Sequence, residues 1–579
     1  MSSTPDHEIP APRNEIPAEA AIESGGCAVL EYYLLALIVI SVSWLAFLFY
    51  YLRGEILLYG DAVAHINIAR RVFDSRTPGP LELGTVWLPL LHFLILPFVV
   101  AKWMWRTGVG GSIPSMIAHV ASTLGIFRLV RAGLGAIPGR KGEARVASWL
   151  AALAFAANPN LLYLQSTAMT EPVYLAVFIW ATLFFSQFFF QLYRGDDERA
   201  QRSLLGCGVL LLLGVFTRYD GWFAALVFGV AALGALAWQA RRRGLPWMHA
   251  FSEQAWKSAL LKFACLLAVG PAVWLVWNAA GFEGPLAFAI GPYSARTIER
   301  RTHKPGDSYH PGWKSPKVAA IFFVESAELN LAGNWETTSW QRKAWLWTAV
   351  LGSLLIAFYL RPLWPWLLLS VPLPFYVLSI AWGSVPIFLP QWWPYSYYNV
   401  RYGTQLVPAF VVLLALVLFA LLTRIRGGWL RPGVVSIAAT FVVLSYVSCL
   451  REVPICLREA MVNSRTRISL ERKLAAELEK LPPDATVLMY TGAYSGALQR
   501  IGMPLRRTIN ETNRHVWEPA LGHPAGAADF VVASEGDAVY QAVRAHPQGL
   551  EAVSFVRSEG QPPVTIYHSL ERGGSEKSR

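Results

Sequence analysis

Residues 57–91 read LLYGDAVAHINIARRVFDSRTPGPLELGTVWLPLL and follow a strongly apolar run. They contain Asp61, His65, Arg70 and Asp74, where a chain that crosses a membrane usually has apolar residues or a short loop. Ionisable groups are costly at membrane depth, so this stretch must lie at a surface or around a polar cavity. The apolar segment WLPLLHFLILP at its end contains prolines, and whether it crosses the membrane decides the topology of everything downstream.

The composition is that of a membrane protein. The 579 residues are 54% hydrophobic and only 15% charged, and they include 24 Trp and 30 Phe. Repeated apolar runs of about 20 residues are long enough to cross a bilayer core of about 30 Å. The net charge of +12 lies largely in short clusters of Lys and Arg between these runs, as is typical of orientation signals. We therefore predict an α-helical polytopic membrane protein with no nucleic-acid partner.

Hydropathy predicts about eleven transmembrane helices. The run 87–105 is not counted, because a crossing there would place the basic cluster between Arg128 and Arg145 outside, against the positive-inside tendency. We expect this run to form a re-entrant or interfacial helix broken by Pro89 and Pro97. The predicted spans are 30–52, 112–131, 147–164, 171–192, 203–217, 221–239, 258–277, 344–361, 363–381, 404–423 and 433–450.

The chain is expected to divide into four parts. Residues 1–28 are predicted to form a disordered cytoplasmic tail, and residues 29–450 the transmembrane domain. An odd number of spans then places residues 451–570 outside the cytoplasm, where the helical run SLERKLAAELEKL and the β-like runs ATVLMY, ADFVVAS and PVTIYHSL predict a small soluble α/β domain. Residues 571–579 are predicted to be a disordered tail.

With this topology, polar residues from four segments collect on the outer face. They come from the first loop, from STAMTEPVYL, from FTRYDGW and from SYYNVRYG. Ionisable residues that converge on one cavity indicate a functional site. The candidate residues are Asp61, His65, Glu171, Arg218, Asp220, Tyr398, Asn399 and Arg401.

The acidic candidates each have two interpretations. Asp61 starts an amphipathic helix expected to lie along the outer membrane surface, and it either caps that helix or supplies a carboxylate to a site. His65, four residues later on the same face, is either an interfacial histidine or binds the same metal or substrate hydroxyl as Asp61. Glu171 either complements the helix dipole, with Thr170 as the cap, or has a catalytic or substrate-binding role.

The basic candidates also have two interpretations each. Arg218 and Asp220 either form an ion pair in a tight turn or bind substrate. Arg401 stands at the outer end of a span, next to Tyr398 and Asn399. It either anchors the membrane interface or binds a phosphate with both arms of its guanidinium group.

At these motifs the chain resembles the GT-C superfamily of integral-membrane glycosyltransferases, in particular the branch of protein O-mannosyltransferases and lipid A aminoarabinose transferases, glycosyltransferase family 39. Two features depart from the family pattern: Asp61 is followed by Ala62 in place of a second acid, and the lysine that many relatives carry before paired prolines is absent ahead of Pro89. The matching segments, within residues 30–450, are YGDAVAHINIARRVF, TVWLPLLHFLILP, MTEPVYLAVFIW, FTRYDGW, WNAAGFEGPLAFA and YNVRYGTQLVPAF.

The resemblance implies a GT-C-like fold with outer-face juxtamembrane helices, and transfer of a hexose or pentose from a polyprenyl-phosphate donor. The acceptor would be a hydroxyl of a glycan, lipid or protein on the extracytoplasmic face of the inner (plasma) membrane, and a single displacement would invert the anomeric centre. Asp61 is expected to be the base and Glu171 to orient the acceptor, while Arg401, with Arg218, would stabilise the phosphate. A divalent metal is considered as a cofactor, with Asp61, His65 and Glu171 as candidate ligands.

The loop GPYSARTIERRTHKPGDSYHPGWKSP, residues 291–316, is expected to order over the donor as a lid. Its charged run is alternatively solvated or attracted to anionic lipid. Two other functions stay open from the sequence: a transporter or lipid flippase with a polar cavity on its outer side, and a non-catalytic scaffold whose C-terminal domain binds a partner. Transporters usually carry internal repeats and charges near the bilayer midplane, whereas the charges here collect at one face.

Overall fold

The computed structural model describes residues 26–246, 248, 254–292, 294–302, 306, 308–333, 336–425, 427–492 and 494–573. Most of the predicted tail 1–28, and residues 574–579 of the predicted tail 571–579, lie outside the described residues. The same holds for residues 303–305 of the predicted lid.

The segment between the first two long helices is folded. The first seven helices are α1 (Gly26–Leu52), α2 (Gly60–Arg71), α3 (Leu90–Val99), α4 (Lys102–Thr107), α5 (Val109–Gly135), α6 (Lys141–Ala156) and α7 (Pro159–Leu164), with a 3₁₀ turn at Pro80–Leu83. The short helices α2, α3 and α4 all pack against α5. The polar first loop is thereby held against a long apolar helix.

The apolar run 87–105 does not form one long helix. It divides into α3 and α4, and at a rise of 1.5 Å per residue the 10 residues of α3 extend about 15 Å, half of a bilayer core of about 30 Å. The run thus forms no helix long enough to cross, as expected for a re-entrant or interfacial segment, and its position relative to the membrane stays a prediction. Pro89 precedes α3 as expected, but Pro97 lies inside it, and the helix ends at Val100 and Ala101 instead.

Among the described residues, eight helices are long and apolar enough to cross a membrane. The chain is therefore a multi-pass membrane protein. The expected spans 147–164, 203–217 and 344–361 are helical but not in this set, so the count of eleven crossings stays a prediction. The next helices are α8 (Thr170–Arg194), α9 (Asp197–Val215), α10 (Asp220–Arg242), α11 (Gln254–Gly281), α12 (Ala287–Ile290), α13 (Ala295–Thr302), α14 (Pro316–Leu331), α15 (Ser339–Phe358), α16 (Pro372–Trp382), α17 (Val407–Arg424) and α18 (Leu430–Arg451), with 3₁₀ helices at Glu336–Thr338, Arg361–Ser370 and Val400–Leu406.

Between the predicted spans 258–277 and 344–361 lies a buried helix, α14, that the sequence does not predict. Phe322, Phe323 and Asn330 of α14 are buried, and the helix packs against α16 and the 3₁₀ helix Val400–Leu406. Its 16 residues are too few for a span, and two glutamates interrupt its apolar pattern. Hydropathy therefore gives no signal for a helix that supports the segment around Arg401.

The predicted α/β domain is confirmed. Its strands are β1 (Val487–Met489), β2 (Thr508–Ile509), β3 (Phe530–Ser534), β4 (Leu550–Val556) and β5 (Val564–Ser569), and its helices after α19 (Ile455–Leu478) are α20 (Ser495–Ile501), α21 (Arg514–Gly522), α22 (Pro524–Ala527), α23 (Ala538–Ala545) and α24 (Leu570–Gly573). The sheet order is β2-β1-β3-β5-β4, with β1 parallel to β2 and β3, and β5 antiparallel to β3 and β4. The runs ATVLMY, ADFVVAS and PVTIYHSL form β1, β3 and β5, whereas the two edge strands, β2 and β4, are not predicted.

Helix α19 joins the apolar part of the molecule to this domain. The predicted helical run SLERKLAAELEKL forms only its C-terminal half, because the helix already begins at Ile455. The Tyr59 hydroxyl donates to the Cys456 carbonyl oxygen at 2.8 Å, and the Cys456 N–H donates to the Asn160 side chain at 2.9 Å. The first turn of α19 is thus fixed against both the first loop and α7.

A closed ring of three buried residues attaches the α/β domain to the first loop. The Asn67 amide donates to Gln499 Oε1 at 2.8 Å, and the Trp105 indole N–H donates to Asn67 Oδ1 at 3.0 Å. The Gln499 amide completes the ring by donating to the Trp105 carbonyl oxygen at 2.8 Å. Because buried polar groups are costly without partners, the ring fixes α2 relative to α4 and α20.

Gly403 is expected to be essential for packing. A Cβ at this position would lie 2.4 Å from the backbone carbon of Ser326 in α14. We therefore expect Gly403→Ala to destabilise the protein by about 1–3 kcal/mol, as overpacking usually does, and to lower the thermal unfolding midpoint of the detergent-solubilised protein. Gly433→Ala is the matched control, because a Cβ there meets nothing within 4 Å. Equal midpoints for the two variants would contradict the expectation.

Candidate active site

Four segments that are distant in sequence meet around one cavity of about 950 Å³. Asp61 lies in the first turn of α2, and Glu171 in the first turn of α8. Arg218 lies in the turn between α9 and α10, and Arg401 in the 3₁₀ helix that leads into α17. All four residues line the cavity. The structure therefore brings together the candidates that the sequence places at the ends of separate spans.

Arg401 is the centre of this cluster. Its Nη2 lies 2.7 Å from Asp61 Oδ2, its Nε 3.2 Å from Glu171 Oε1, and its Nη1 2.6 Å from Glu459 Oε1. The Arg401 backbone N–H also donates to Glu459 Oε2 at 3.1 Å. Each nitrogen of the guanidinium group therefore has its own carboxylate partner, an arrangement of charge-assisted hydrogen bonds that fixes the plane of the group.

Arg218 extends the cluster along the cavity wall. It lies 3.1 Å from Glu171 Oε1 and 3.0 Å from Asp220 Oδ2, and it donates to the Tyr376 hydroxyl at 2.9 Å. Asp220 also accepts from the Gln405 amide at 2.8 Å. Burial acts to lower the pKa of Arg218, but the charge of Asp220 and its neighbours holds that pKa well above its ordinary value. The expected ion pair between Arg218 and Asp220 is thus present within a larger network.

Carboxylates are in excess in this network. Four of them, Asp61, Glu171, Asp220 and Glu459, face two guanidinium groups. Three of the four side chains are at most 2% exposed, whereas that of Asp61 is 43% exposed. Asp61 is therefore the carboxylate that a molecule in the cavity can reach.

The capping explanations for the two acidic candidates fail. Helix α2 begins at Gly60, and no side chain caps it, so the Asp61 carboxylate is directed to Arg401. Helix α8 begins at Thr170 itself, also without a side-chain cap, and the Thr170 hydroxyl accepts from Arg218 Nη1 at 2.7 Å. The Asp61 carboxylate is thereby free of a capping role and exposed to the cavity, whereas that of Glu171 is buried against Arg218 and Arg401.

His65 pairs with a histidine that the sequence analysis does not select. His65 Nδ1 lies 2.9 Å from His92 Nε2, and the Trp87 ring lies 4.0 Å from that of His65, centroid to centroid. Burial and His92 hold the pKa of His65 well below its ordinary value, and burial with the charge of Arg71 lowers the pKa of His92 to about 3. Both rings are therefore neutral at physiological pH, and one donates to the other.

The expected metal ligands do not converge in this structure. Within the part of the chain that the structure describes, no group of three or more His, Cys, Asp or Glu side chains is arranged to hold a metal ion. Asp61 and Glu171 face Arg401, and His65 faces His92. The divalent metal at Asp61, His65 and Glu171 stays an untested prediction.

Tyr398 and Asn399 lie beside the cavity wall and do not line it. The backbones of Tyr398 and Phe388 exchange two hydrogen bonds, of 3.0 and 3.2 Å. Asn399 has a left-handed φ of 56°, and its amide donates to the Pro386 carbonyl oxygen at 2.9 Å. The two residues thus shape the turn that leads to Arg401, and their expected contact with substrate stays a prediction.

Part of the predicted lid forms another wall of the cavity. Arg296 and Arg300 of α13 are exposed and line it, as do Tyr309 and Trp313. The rings of Tyr309 and Trp313 stack with centroids 4.7 Å apart. Glu299 of the same helix lines the cavity as well, so this wall combines two arginines and one glutamate with aromatic side chains, whereas carboxylates outnumber arginines around Arg401.

Glu459 is the residue of this site that the sequence analysis misses. It lies in VPICLREAM, shortly after the last predicted span, 433–450. Residues after 450 are predicted to belong to the separate α/β domain, so no candidate site residue is sought there. The available signal is a single glutamate among apolar residues, since Ile455, Cys456 and Ala460 are all buried with it.

Comparison with known structures identifies the architecture. No protein-family model and no curated protein sequence matches the chain. Its structure is similar to that of ArnT from Cupriavidus metallidurans bound to undecaprenyl phosphate, with a TM-score of 0.51 and 12% identity over 94% of this chain and 98% of that one. The chain has a GT-C fold.

Two oligosaccharyltransferase structures from Archaeoglobus fulgidus have lower TM-scores. AglB with an inhibitory peptide and a dolichol phosphate gives 0.41 at 13% identity, over 87% of this chain and 69% of that one. The oligosaccharyltransferase in complex with Zn and sulfate gives a TM-score of 0.40 at 13% identity, over 92% of this chain and 72% of that one. The assignment of a GT-C fold therefore depends on the first likeness.

The two departures from the GT-C family pattern have structural counterparts. Ala62 is 0% exposed and packs in the core, so an acid at this position would face apolar side chains. Ahead of Pro89, Val86, Trp87 and Leu88 line the cavity, so this segment brings no cationic side chain to the cavity wall.

The neutral histidine pair predicts an acid-sensitive fold. The pKa of His92 is about 3 in the folded protein and near 6.5 in an unfolded chain. Between about pH 3 and 6.5, this histidine is therefore protonated in the unfolded chain and neutral in the folded protein. Stability is then lost as pH falls below about 6.5, by up to about 1.4 kcal/mol per pH unit for one histidine. His92→Gln should lose less stability between pH 6.5 and 5 in thermal unfolding. His546→Gln, at an exposed histidine, should unfold like the wild type, and equal pH slopes for all three proteins would refute the expectation.

Proposed function

We propose that this chain is a membrane glycosyltransferase that moves a sugar from a polyprenyl-phosphate donor to an acceptor hydroxyl. The observation that carries the proposal is the half-exposed Asp61 carboxylate, held by Arg401 at 2.7 Å on the wall of a cavity of about 950 Å³. The GT-C fold supports it, because the similar structure of ArnT holds undecaprenyl phosphate. The sugar would be a hexose or pentose.

Asp61 would act as the base. A carboxylate within hydrogen-bond reach of the acceptor hydroxyl takes its proton as the oxygen attacks the anomeric carbon. Arg401 fixes the orientation of Asp61, while Glu171 holds both arginines through one oxygen and would orient the acceptor indirectly. A single displacement by the acceptor inverts the anomeric centre.

The leaving phosphate would bind on the other wall. Arg401 and Arg218 are already neutralised by carboxylates, so a phosphate beside them would be repelled by Asp61 and Glu171. Arg296 and Arg300 are exposed to the same cavity, and guanidinium groups suit phosphate geometry. In this proposal, Arg401 and Arg218 hold the carboxylates around the base, and the arginines of α13 bind the phosphate. The role of Arg401 thus differs from the phosphate binding that the sequence suggests.

The proposed side of the membrane rests on the topology expected from the sequence. The expected topology places the N-terminus in the cytoplasm and the α/β domain outside. The site would then open to the extracytoplasmic face of the inner (plasma) membrane, where a glycan, lipid or protein would be the acceptor. The four segments are expected to end on the same side of the membrane. This is supported by the ion pairs that join Asp61, Glu171, Arg218 and Arg401.

Asp61→Asn should abolish most transfer. The amide keeps the size of the side chain but cannot accept the proton, so we expect the rate to fall by about 10²–10⁴-fold. Transfer is measured with purified protein as release of polyprenyl phosphate from a panel of polyprenyl-phosphate hexoses and pentoses, with extracted envelope material as acceptor. Asp484→Asn, at an exposed aspartate of the α/β domain, is the matched control. Normal transfer by the Asp61 variant would remove Asp61 as the base, and repeating the assay with a chelator tests the divalent metal.

The double variant Arg296→Gln/Arg300→Gln should weaken donor binding. Loss of two phosphate partners is expected to raise the KM for the donor by about 10-fold or more, since a charge-assisted hydrogen bond contributes about 1.5–3 kcal/mol. The control is Arg199→Gln/Arg202→Gln, an exposed pair on α9, which should leave KM unchanged. An unchanged donor KM in the α13 variant would return the phosphate role to Arg401 and Arg218.

The transporter or flippase alternative is not favoured by the GT-C fold, and it predicts a different result. Mass spectrometry of envelope glycans and glycoproteins from cells with and without the protein should show one missing modification, which would identify both sugar and acceptor. If the purified protein transferred nothing from any polyprenyl-phosphate sugar yet moved a solute across vesicles, the transferase proposal would be wrong.

A further inference from the structure

Glu459 differs from the other carboxylates of the site because it comes from α19, the helix that leads into the α/β domain. Its two oxygens bind one residue, Arg401, through the guanidinium Nη1 at 2.6 Å and the backbone N–H at 3.1 Å. The Glu459 side chain is 0% exposed. Glu459 therefore contacts Arg401 and is shielded from a molecule in the cavity.

The geometry of Arg401 makes Asp61 dependent on Glu459. Glu171 and Glu459 hold Nε and Nη1, which leaves Nη2 for Asp61. A guanidinium group is planar, so two fixed nitrogens determine where the third one points. Without Glu459, Nη1 loses its carboxylate partner, and the plane of the group depends on Glu171 and on the rings of Tyr59 and Tyr402, whose centroids each lie 5.0 Å from the guanidinium carbon.

Further contacts fix α19 to the chain just before Asp61. Arg467 of α19 donates to the carbonyl oxygens of Leu57 and Leu58 at 3.2 and 2.8 Å. Tyr59 donates from the same segment to the first turn of α19. The helix that carries Glu459 is therefore attached to the loop that carries Asp61 by contacts independent of Arg401.

We propose that Glu459 is a positioning residue for the transfer reaction: α19 carries it into the site, where it fixes Arg401 and thereby the orientation of Asp61. The inference rests on the proposed function. It makes the α/β domain part of the catalytic unit, in contrast to a separate module that only binds a partner.

The test is Glu459→Gln in the full-length protein. The variant keeps the side-chain shape but removes the charge, so kcat should fall by about 10-fold or more while the donor KM stays within about 2-fold. Glu459→Asp keeps the charge but is one methylene shorter and cannot reach both Arg401 groups, so its kcat should lie between those of the Gln variant and the wild type. Glu477→Gln is the matched control, since Glu477 lies on the same helix and contacts Lys480 and Ser554.

A double-mutant cycle separates positioning from a structural role. If Glu459 acts through Asp61, Glu459→Gln should have little further effect on the residual transfer rate of Asp61→Asn, because the two changes are not additive. A general loss of structure would reduce the rate equally in both backgrounds. Thermal unfolding midpoints are recorded for every variant.

The outcomes are distinct. Wild-type kcat in Glu459→Gln, or an equal reduction in both backgrounds, would overturn the inference while leaving the transferase proposal intact. Absence of transfer by the wild type would instead overturn the transferase proposal. If Glu459→Gln does not fold, the kcat of Glu459→Asp is measured in its place. A wild-type kcat for that variant would overturn the inference.

Discussion

The ion cluster around Arg401 is the interaction on which the rest of the structure depends. Removing one partner from a buried ion pair typically costs about 3–5 kcal/mol, because the remaining charge is left without compensation. Here the partners come from α2, α8 and α19, and Arg401 itself from the segment before α17. These four segments are therefore stable only together, and the cavity exists because they meet.

This dependence explains why the polar residues lie at helix ends. A carboxylate in the first turn of a helix is favoured by the helix dipole, and both Asp61 and Glu171 occupy such positions. The helices then continue as apolar segments that can pack in lipid or against each other. The two carboxylates thus face Arg401 from helix ends, while the rest of α8 stays largely apolar.

Much of the fold and part of the site follow from the sequence. The prolines and the charge pattern correctly predict that the run 87–105 does not form one long helix, and the order of polar motifs selects Asp61, Glu171, Arg218 and Arg401. These residues can be found because each interrupts an apolar run, and an ionisable residue in such a place needs a reason.

The parts that the sequence does not predict depend on tertiary contacts. Glu459 looks like one charge among many in a domain with ordinary composition, and only its burial against Arg401 distinguishes it. His92 lies in an apolar run and has no local signal for its contact with His65. The edge strand β2 has only two residues, which is too short for a periodic pattern.

The continuity of α19 has a consequence for the order of biosynthesis. Asp61 and Arg401 are separated by 340 residues, and Arg401 and Glu459 by a further 58. A growing chain inserts its early helices long before α19 emerges from the ribosome, and contacts of such sequence separation form late. The ion cluster is therefore incomplete until α19 has been synthesised, and any fragment that ends before Glu459 lacks the carboxylate that completes it.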